Sequence, residues 1–394
     1  MKHAYLHIGL EKTGTTSLQV FLRANEAALR ANGYSYLGDD TRSYSDRLGH
    51  FPVAASFFSE CPDFILPAKF RPATDVLGEL RKDVEECPWH VILSCEHFSS
   101  RLKDASALQL IRDALPNRNI KVVCYLRRQD DLALAAYSTA IKTGRRDPFD
   151  VSKITPKSWY FNFDQILNLW GDVFGPENIV IREYDRAQFA GGDVRRDFLA
   201  LLGIEHTGFQ FLPDKNISLD ALQVEILRLV NSHLPRFGDD PDGHALTLKV
   251  RSTIIEHLPK GQPLATMLSE SERGAIMQSF ADSNARLASK FTGCGFVGDW
   301  QSVPLGKRSK PRQPTRVHLA RTIATLGRRL FESARETEML KKELADTKAA
   351  LALVQNRPDV EQAAPTWQSA GPIRTVAQVF QAVQQRLRRD DPEA

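Results

Sequence analysis

Apolar residues fall along this chain in two alternating rhythms. Short runs in which nearly every position is apolar or β-branched, "AYLHIG" (4–9), "HVILSC" (90–95), "IKVVCYL" (120–126) and "NIVIREY" (178–184), are separated by longer stretches with apolar residues three and four apart. The first three runs are apolar on both faces, as strands are when helices cover both sides of a parallel sheet. The stretches between them predict helices over 16–32, where Leu18, Phe21, Leu22 and Leu29 form one stripe, and over 105–115, 132–142 and 163–174. Two later segments, 218–234 and 269–291, repeat the helical pattern, with Ser218 and Ser269 as N-caps and an acidic residue soon after each. Regular alternation of strand and helix predicts an α/β fold, a doubly wound, mainly parallel sheet flanked by helices.

The pattern changes near residue 304, so the α/β domain is expected over 1–303. "PLGKRSKPRQPTR" (304–316) is basic, carries three prolines and has no apolar period, which reads as a linker. Over 317–356 a heptad can be counted through Leu319, Ile323, Leu326, Leu330, Leu340, Leu344, Leu351 and Val354, flanked by Glu336, Glu338, Lys341, Lys342 and Glu343. That favours a long helix in a coiled coil, and with it a homo-oligomer; Ser333 and Thr337 interrupt the seam, and a single solvated helix is the alternative. The remainder, 357–394, reads as a tail with one short amphipathic helix, "VAQVFQAVQQRLRR".

Composition narrows the function classes. The 52 basic and 48 acidic residues nearly balance, for a formal charge of +4, which argues against a nucleic-acid binder and leaves small anionic ligands open. Five cysteines (Cys61, Cys87, Cys95, Cys124, Cys294) are widely spaced, with no CxxC pair and no zinc-like Cys/His cluster, so reduced thiols and no metal are expected. The chain opens directly on a strand-like run without a signal-peptide pattern, and nothing approaches about 18 consecutive apolar residues. The expectation is a cytoplasmic protein, soluble or peripheral at the inner membrane.

The candidate chemistry starts at "HIGLEKTGTTSLQ" (7–19), where a strand runs through Gly9, Lys12, Thr13, Gly14, Thr15 and Thr16 into a helix. Backbone N–H groups at such a turn point at an anion, the helix dipole favours it, and Lys12 adds a full charge. An ATP or GTP loop requires GxxxxGK[ST], with lysine directly after the second glycine. Here Lys12 precedes Gly14, and the spacing argues against an ATPase. A second element, "VVCYLRRQDDLALAAYS" (122–138), is an apolar strand followed at once by Arg127 and Arg128 and then a helix.

Together these two elements resemble the sulfotransferases that use 3′-phosphoadenosine 5′-phosphosulfate (PAPS), especially bacterial members of the carbohydrate type. The resemblance spans roughly residues 3 to 295, and the first loop is its most specific part. It implies a P-loop-like fold and PAPS as co-substrate, with Lys12 at the 5′-phosphate and the bridging oxygen. Thr13, Gly14, Thr15 and Thr16 would supply backbone and hydroxyl contacts, with Ser17 a weaker addition. Arg127 matches the arginine of the 3′-phosphate motif, but the matching serine position holds Ala135, and Ser138 one turn on is the substitute. The proton acceptor in this family is a histidine or a glutamate. Glu96, just past a strand at the carboxyl edge of the sheet, is the first candidate, followed by His50 and, below both, His97. The acceptor implied is a carbohydrate or glycolipid hydroxyl, to which the aromatic-rich loops over 33–52 and 143–163 are suited. Two other readings stand beside it: a nucleotide kinase, and a degenerate nucleotide-binding scaffold acting through its coiled coil.

Overall fold

The computed structural model describes residues 1–60, 70–213, 219–234, 244–258, 261–291, 300, 339–340 and 342–347. In chain order the elements begin with β1 (His3–Gly9), α1 (Thr15–Ala24), α2 (Glu26–Ala31), β2 (Tyr34–Tyr36), α3 (Phe51–Ala55), α4 (Ala73–Glu86) and β3 (His90–Ser94). There follow α5 (His97–Arg101), α6 (Ala105–Asp113), β4 (Asn119–Leu126), α7 (Gln129–Lys142), α8 (Phe163–Phe174), β5 (Ile179–Glu183) and α9 (Val194–Leu201). The described helices end with α10 (Ala221–Asn231), α11 (His244–His257) and α12 (Glu270–Lys290).

All five strands are parallel, in the order β2-β3-β1-β4-β5. The expected α/β sheet flanked by helices is therefore present. Alternation along the central strand sorts side chains to its two faces. Ala4, Leu6 and Ile8 pack with Val91, Leu93, Val122, Cys124 and Ile181 under α4, α6 and α8. On the other face Ile92, Val123 and Tyr125 meet Leu18, Phe21 and Leu22 of α1 and Phe198 and Leu199 of α9. Trp170 of α8 is fully buried and stacks on Phe174 with ring centroids 5.2 Å apart. Cys87, Cys95 and Cys124 are buried free thiols.

The helix expected over 16–32 is two helices, broken at Asn25. The Asn25 side chain donates to the Phe21 carbonyl at 2.8 Å and to that of Gln210 at 2.9 Å, and accepts from the Gln210 N–H at 2.7 Å. An asparagine that pins a distant segment offers the backbone an alternative to the helical ladder. The strand β2 was not anticipated; it pairs three residues with β3 inside a polar stretch that reads as a loop. Ser269 caps α12 and Glu272 completes a capping box, as expected, whereas α10 starts from Asp220 paired with Gln223 rather than from Ser218, which lies outside the described residues.

By its internal contacts the chain divides into two units, Met1–Leu319 and Ala320–Ala394, and the sheet belongs to the first. In the second, residues 339–340 and 342–347 are helical, and the heptad positions Leu340 and Leu344 are exposed. The rest of the heptad, the linker at 304–316 and the tail at 357–394 lie outside the described residues. Among the described residues no helix is long and apolar enough to cross a membrane.

Candidate functional site

The order of strands puts a crevice at the carboxyl edge of β1, where its neighbours β3 and β4 lead to opposite sides. The register between β1 and β4 shifts between His7 and Gly9, which redirects the chain as it leaves the sheet. Lys12 then takes φ 63°, a left-handed conformation unusual for a residue with a side chain. Gly14 follows at φ 77° as the N-cap of α1, and a Cβ there would meet the Tyr184 ring, its hydroxyl and Val194, each at 3.2 Å. Glycine takes this φ without strain and leaves room for Tyr184 and Val194. Among the described residues no side chain caps α1 and its first turn holds no acidic residue, so its N–H groups and dipole are available to an anion.

The hydroxyls of the loop divide into two sets. Thr13 and Thr15 are buried, and both donate to the Leu10 carbonyl, at 2.6 and 3.2 Å. They brace the turn. Thr16 and Ser17 are half-buried at the start of α1, and Ser17 lines a cavity of about 120 Å³ with Gly14, Tyr184, Arg186 and Val194. Lys12 makes no ion pair among the described residues.

Arg127, at the end of β4, donates from a guanidinium nitrogen to the Lys12 carbonyl at 3.0 Å and lies over the Tyr184 ring, 5.6 Å from its centroid. It supports the loop from beneath. Arg128 instead pairs with the buried Asp130, at 3.2 Å through each of two nitrogens. Ser138 is buried on α7, and Lys142 follows it one turn later on the same helix. Burial, and then the charge of Lys12, lower the Lys142 pKa. Lys142 was missed at the level of sequence; its spacing of four from Ser138 was the available signal.

The three proton-acceptor candidates meet different environments. His50 is fully buried; Nδ1 accepts from the Ser94 N–H at 3.0 Å, which leaves Nε2 to donate to the Leu37 carbonyl at 2.8 Å. Both nitrogens thus clip backbone, and burial pushes the pKa down to about 4. This is a structural histidine, and its place as a candidate base is corrected. Glu96 stands at the start of α5, where Gln19 of α1, also unnoticed in the sequence, donates to its Oε2 at 3.2 Å. A Cβ at Gly9 would come within 2.9 Å of the Glu96 Cα, so glycine lets the loop approach this carboxylate closely. His97 lies next to it, with Nδ1 3.6 Å from Glu11 Oε1 and Phe51 edge-on at 4.8 Å.

The two aromatic loops also part company. Tyr36 and Tyr44 of the first are buried, their hydroxyls on the Leu48 carbonyl and Asp83, so they belong to the core. The second reaches the crevice: Trp159 anchors on the Ser99 carbonyl at 2.9 Å, and the Tyr160 hydroxyl donates to Glu11 Oε2 at 3.3 Å. A cavity of about 600 Å³ opens at the opposite, amino edge of the sheet. Arg118, on its rim, donates to the carbonyls of Val84, Cys87 and Trp89, a structural use.

No family model matches the chain. An uncharacterized protein of Archaeoglobus fulgidus is 32% identical over 205 residues, which cover 52% of this chain and 54% of that protein. The chain thus spans about half the length of the curated relative it matches. Among solved structures, it is similar to a sulfotransferase from Alicyclobacillus acidocaldarius at 17% identity and a TM-score of 0.37, over 74% of this chain and 96% of that one.

Proposed function

We propose that the chain is a sulfotransferase that moves a sulfuryl group from PAPS to a hydroxyl of a carbohydrate or glycolipid acceptor by in-line displacement. The observation that carries this reading is the loop itself: a lysine that precedes a left-handed glycine cap, at an uncapped helix N-terminus, on the carboxyl edge of a parallel sheet. The donor's 5′-phosphate fits the N–H groups of α1 with Thr16 and Ser17. Arg127, Ser138 and Lys142 are the cationic and hydroxyl groups on the side of α7 for its remaining phosphate.

In the reaction the acceptor oxygen forms a bond to sulfur as the bond from sulfur to the phosphate oxygen breaks. Charge grows on the leaving phosphate, and Lys12 is the group to offset it. The acceptor proton passes to a base on the opposite side of the loop, where Glu96 and His97 stand. Proximity and fixed charge are the main sources of rate for such a transfer.

The direct test is transfer of labelled sulfate from PAPS into carbohydrate and lipid extracts, with identification of the product, for the wild type and Lys12→Ala. Labelled product formed by the wild type alone supports the reading. Equal labelling by both proteins, or Mg²⁺-dependent phosphorylation from ATP in place of sulfation, contradicts it.

A further inference from the structure

The loop carries one charged residue that donor binding does not use. Glu11 precedes Lys12, yet its side chain turns toward the 143–163 loop and α5, and both elements converge on it. From the loop over 143–163, the Tyr160 hydroxyl donates to Oε2 at 3.3 Å. From α5, His97 turns Nδ1 toward Oε1 at 3.6 Å, a contact that becomes an ion pair once the ring takes up a proton, and that nitrogen is buried with no hydrogen bond among the described residues. Trp159 fixes the Tyr160 segment to α5 through the Ser99 carbonyl, so the wall is one connected piece.

We infer that Glu11 is a positioning residue of the acceptor site: its carboxylate, held by Tyr160, holds the His97 imidazole through Nδ1 and leaves Nε2 to take the proton of the attacking hydroxyl. The inference rests on the sulfuryl-transfer reading and deepens it. As the oxygen–sulfur bond forms, the hydroxyl proton moves to Nε2, and the imidazolium then pairs through Nδ1 with Glu11. The bond to the leaving phosphate breaks at the same step, on the Lys12 side. One loop therefore serves both sides of sulfur, through adjacent residues of opposite charge.

The charges facing His97 agree with this role. Burial lowers its pKa, against Glu96 and Glu11, which raise it, while Arg101 and Lys12 add to the lowering. The net effect keeps the imidazole neutral at pH 7 and able to accept a proton. Burial, and after it Glu11, push the Tyr160 phenol well above its ordinary range, with Arg101 opposing and Glu96 adding, so it stays a donor to the carboxylate.

The test is an NMR titration of the histidine rings in the full chain, with His97 assigned through His97→Asn, for the wild type, Glu11→Gln and Tyr160→Phe. The expected wild-type neutral ring carries its proton on Nδ1. Glu11→Gln lowers the His97 pKa by about one unit, the usual size of a neighbouring charge, and weakens the tautomer preference. Tyr160→Phe, which removes no charge, weakens the preference as well and serves should the first variant fail to fold. An unchanged His97 titration and tautomer in both variants, or a wild-type ring protonated on Nε2, overturns the proposal. Calorimetry with adenosine 3′,5′-bisphosphate is run in parallel, and Glu11→Gln should bind it as the wild type does. Absence of binding by the wild type would remove the sulfuryl-transfer reading, while the titration still decides whether Glu11 holds His97.

Discussion

Lys12 joins an unusual backbone, φ 63°, to a charge without an ion-pair partner among the described residues. Such outliers persist where the surroundings hold them, here the Arg127 bond to the Lys12 carbonyl and the two threonine bonds to that of Leu10. Lys12→Ala should therefore lower transfer by at least about 10²–10³-fold, as the loss of a group aimed at developing charge does, with an unchanged circular dichroism spectrum and melting temperature. Gly14→Ala should cost about 1–2 kcal/mol for its left-handed φ, and bisphosphate binding should weaken as Tyr184 and Val194 are displaced; thermal denaturation and calorimetry check the two effects. His50 has its own signature. Its folded-state pKa of about 4 lies below the ordinary 6.5, so its contribution to stability is complete above about pH 6.5 and is lost as pH falls toward 4. Between pH 7 and pH 5 the loss is about 1–2 kcal/mol, and urea unfolding of His50→Gln should show a smaller decline over that interval than the wild type.

At the scale of elements, what could be read from the sequence was what periodicity and spacing encode. β1, β3, β4 and β5 are apolar runs, and α8 follows its apolar stripe from Phe163 to Phe174 as anticipated. The break at Asn25, by contrast, depends on Gln210, 185 positions away, and no local pattern contains it. The site divides in the same way. Lys12, Gly14 and Arg127 belong to compact motifs, whereas Glu11, Gln19, His97 and Tyr160 meet only when α1, α5 and the loop over 143–163 fold together. His50 looked like a base because a lone histidine in a polar loop is a titratable group in water; here β2 and β3 close over it. The base of α7 shows how elements far apart in sequence are locked. Arg273 of α12 bridges Asp130 and Asp131, and Asn284 pairs with Gln129 at 2.8 Å. Both Arg273 and Asp130 are buried, so Arg273→Met leaves a carboxylate inside with one remaining charged partner, Arg128, and the Asp131 N–H. It should destabilise the chain by about 3–5 kcal/mol by denaturant midpoint, more than a surface pair such as Arg30–Glu26 could contribute.

At the scale of the whole molecule, β1 stands at the centre of the sheet, and the ends of β3, β4 and β5 supply Glu96, Arg127 and Tyr184 to its loop. The near balance of charge over the chain concentrates no general attraction for polyanions, so recognition falls to this local arrangement. A chain ending at Leu319 keeps the first unit, and on this account it should bind adenosine 3′,5′-bisphosphate as the full chain does, while any self-association through the heptad is lost in light scattering. On the proposed function the loop receives a bisphosphate nucleotide rather than a triphosphate, and titration calorimetry of the full chain with adenosine 3′,5′-bisphosphate in metal-free buffer separates the two. Roughly micromolar binding, abolished by Lys12→Ala, is the expected result; no binding of the bisphosphate, together with Mg²⁺-dependent binding of ATP, would contradict it.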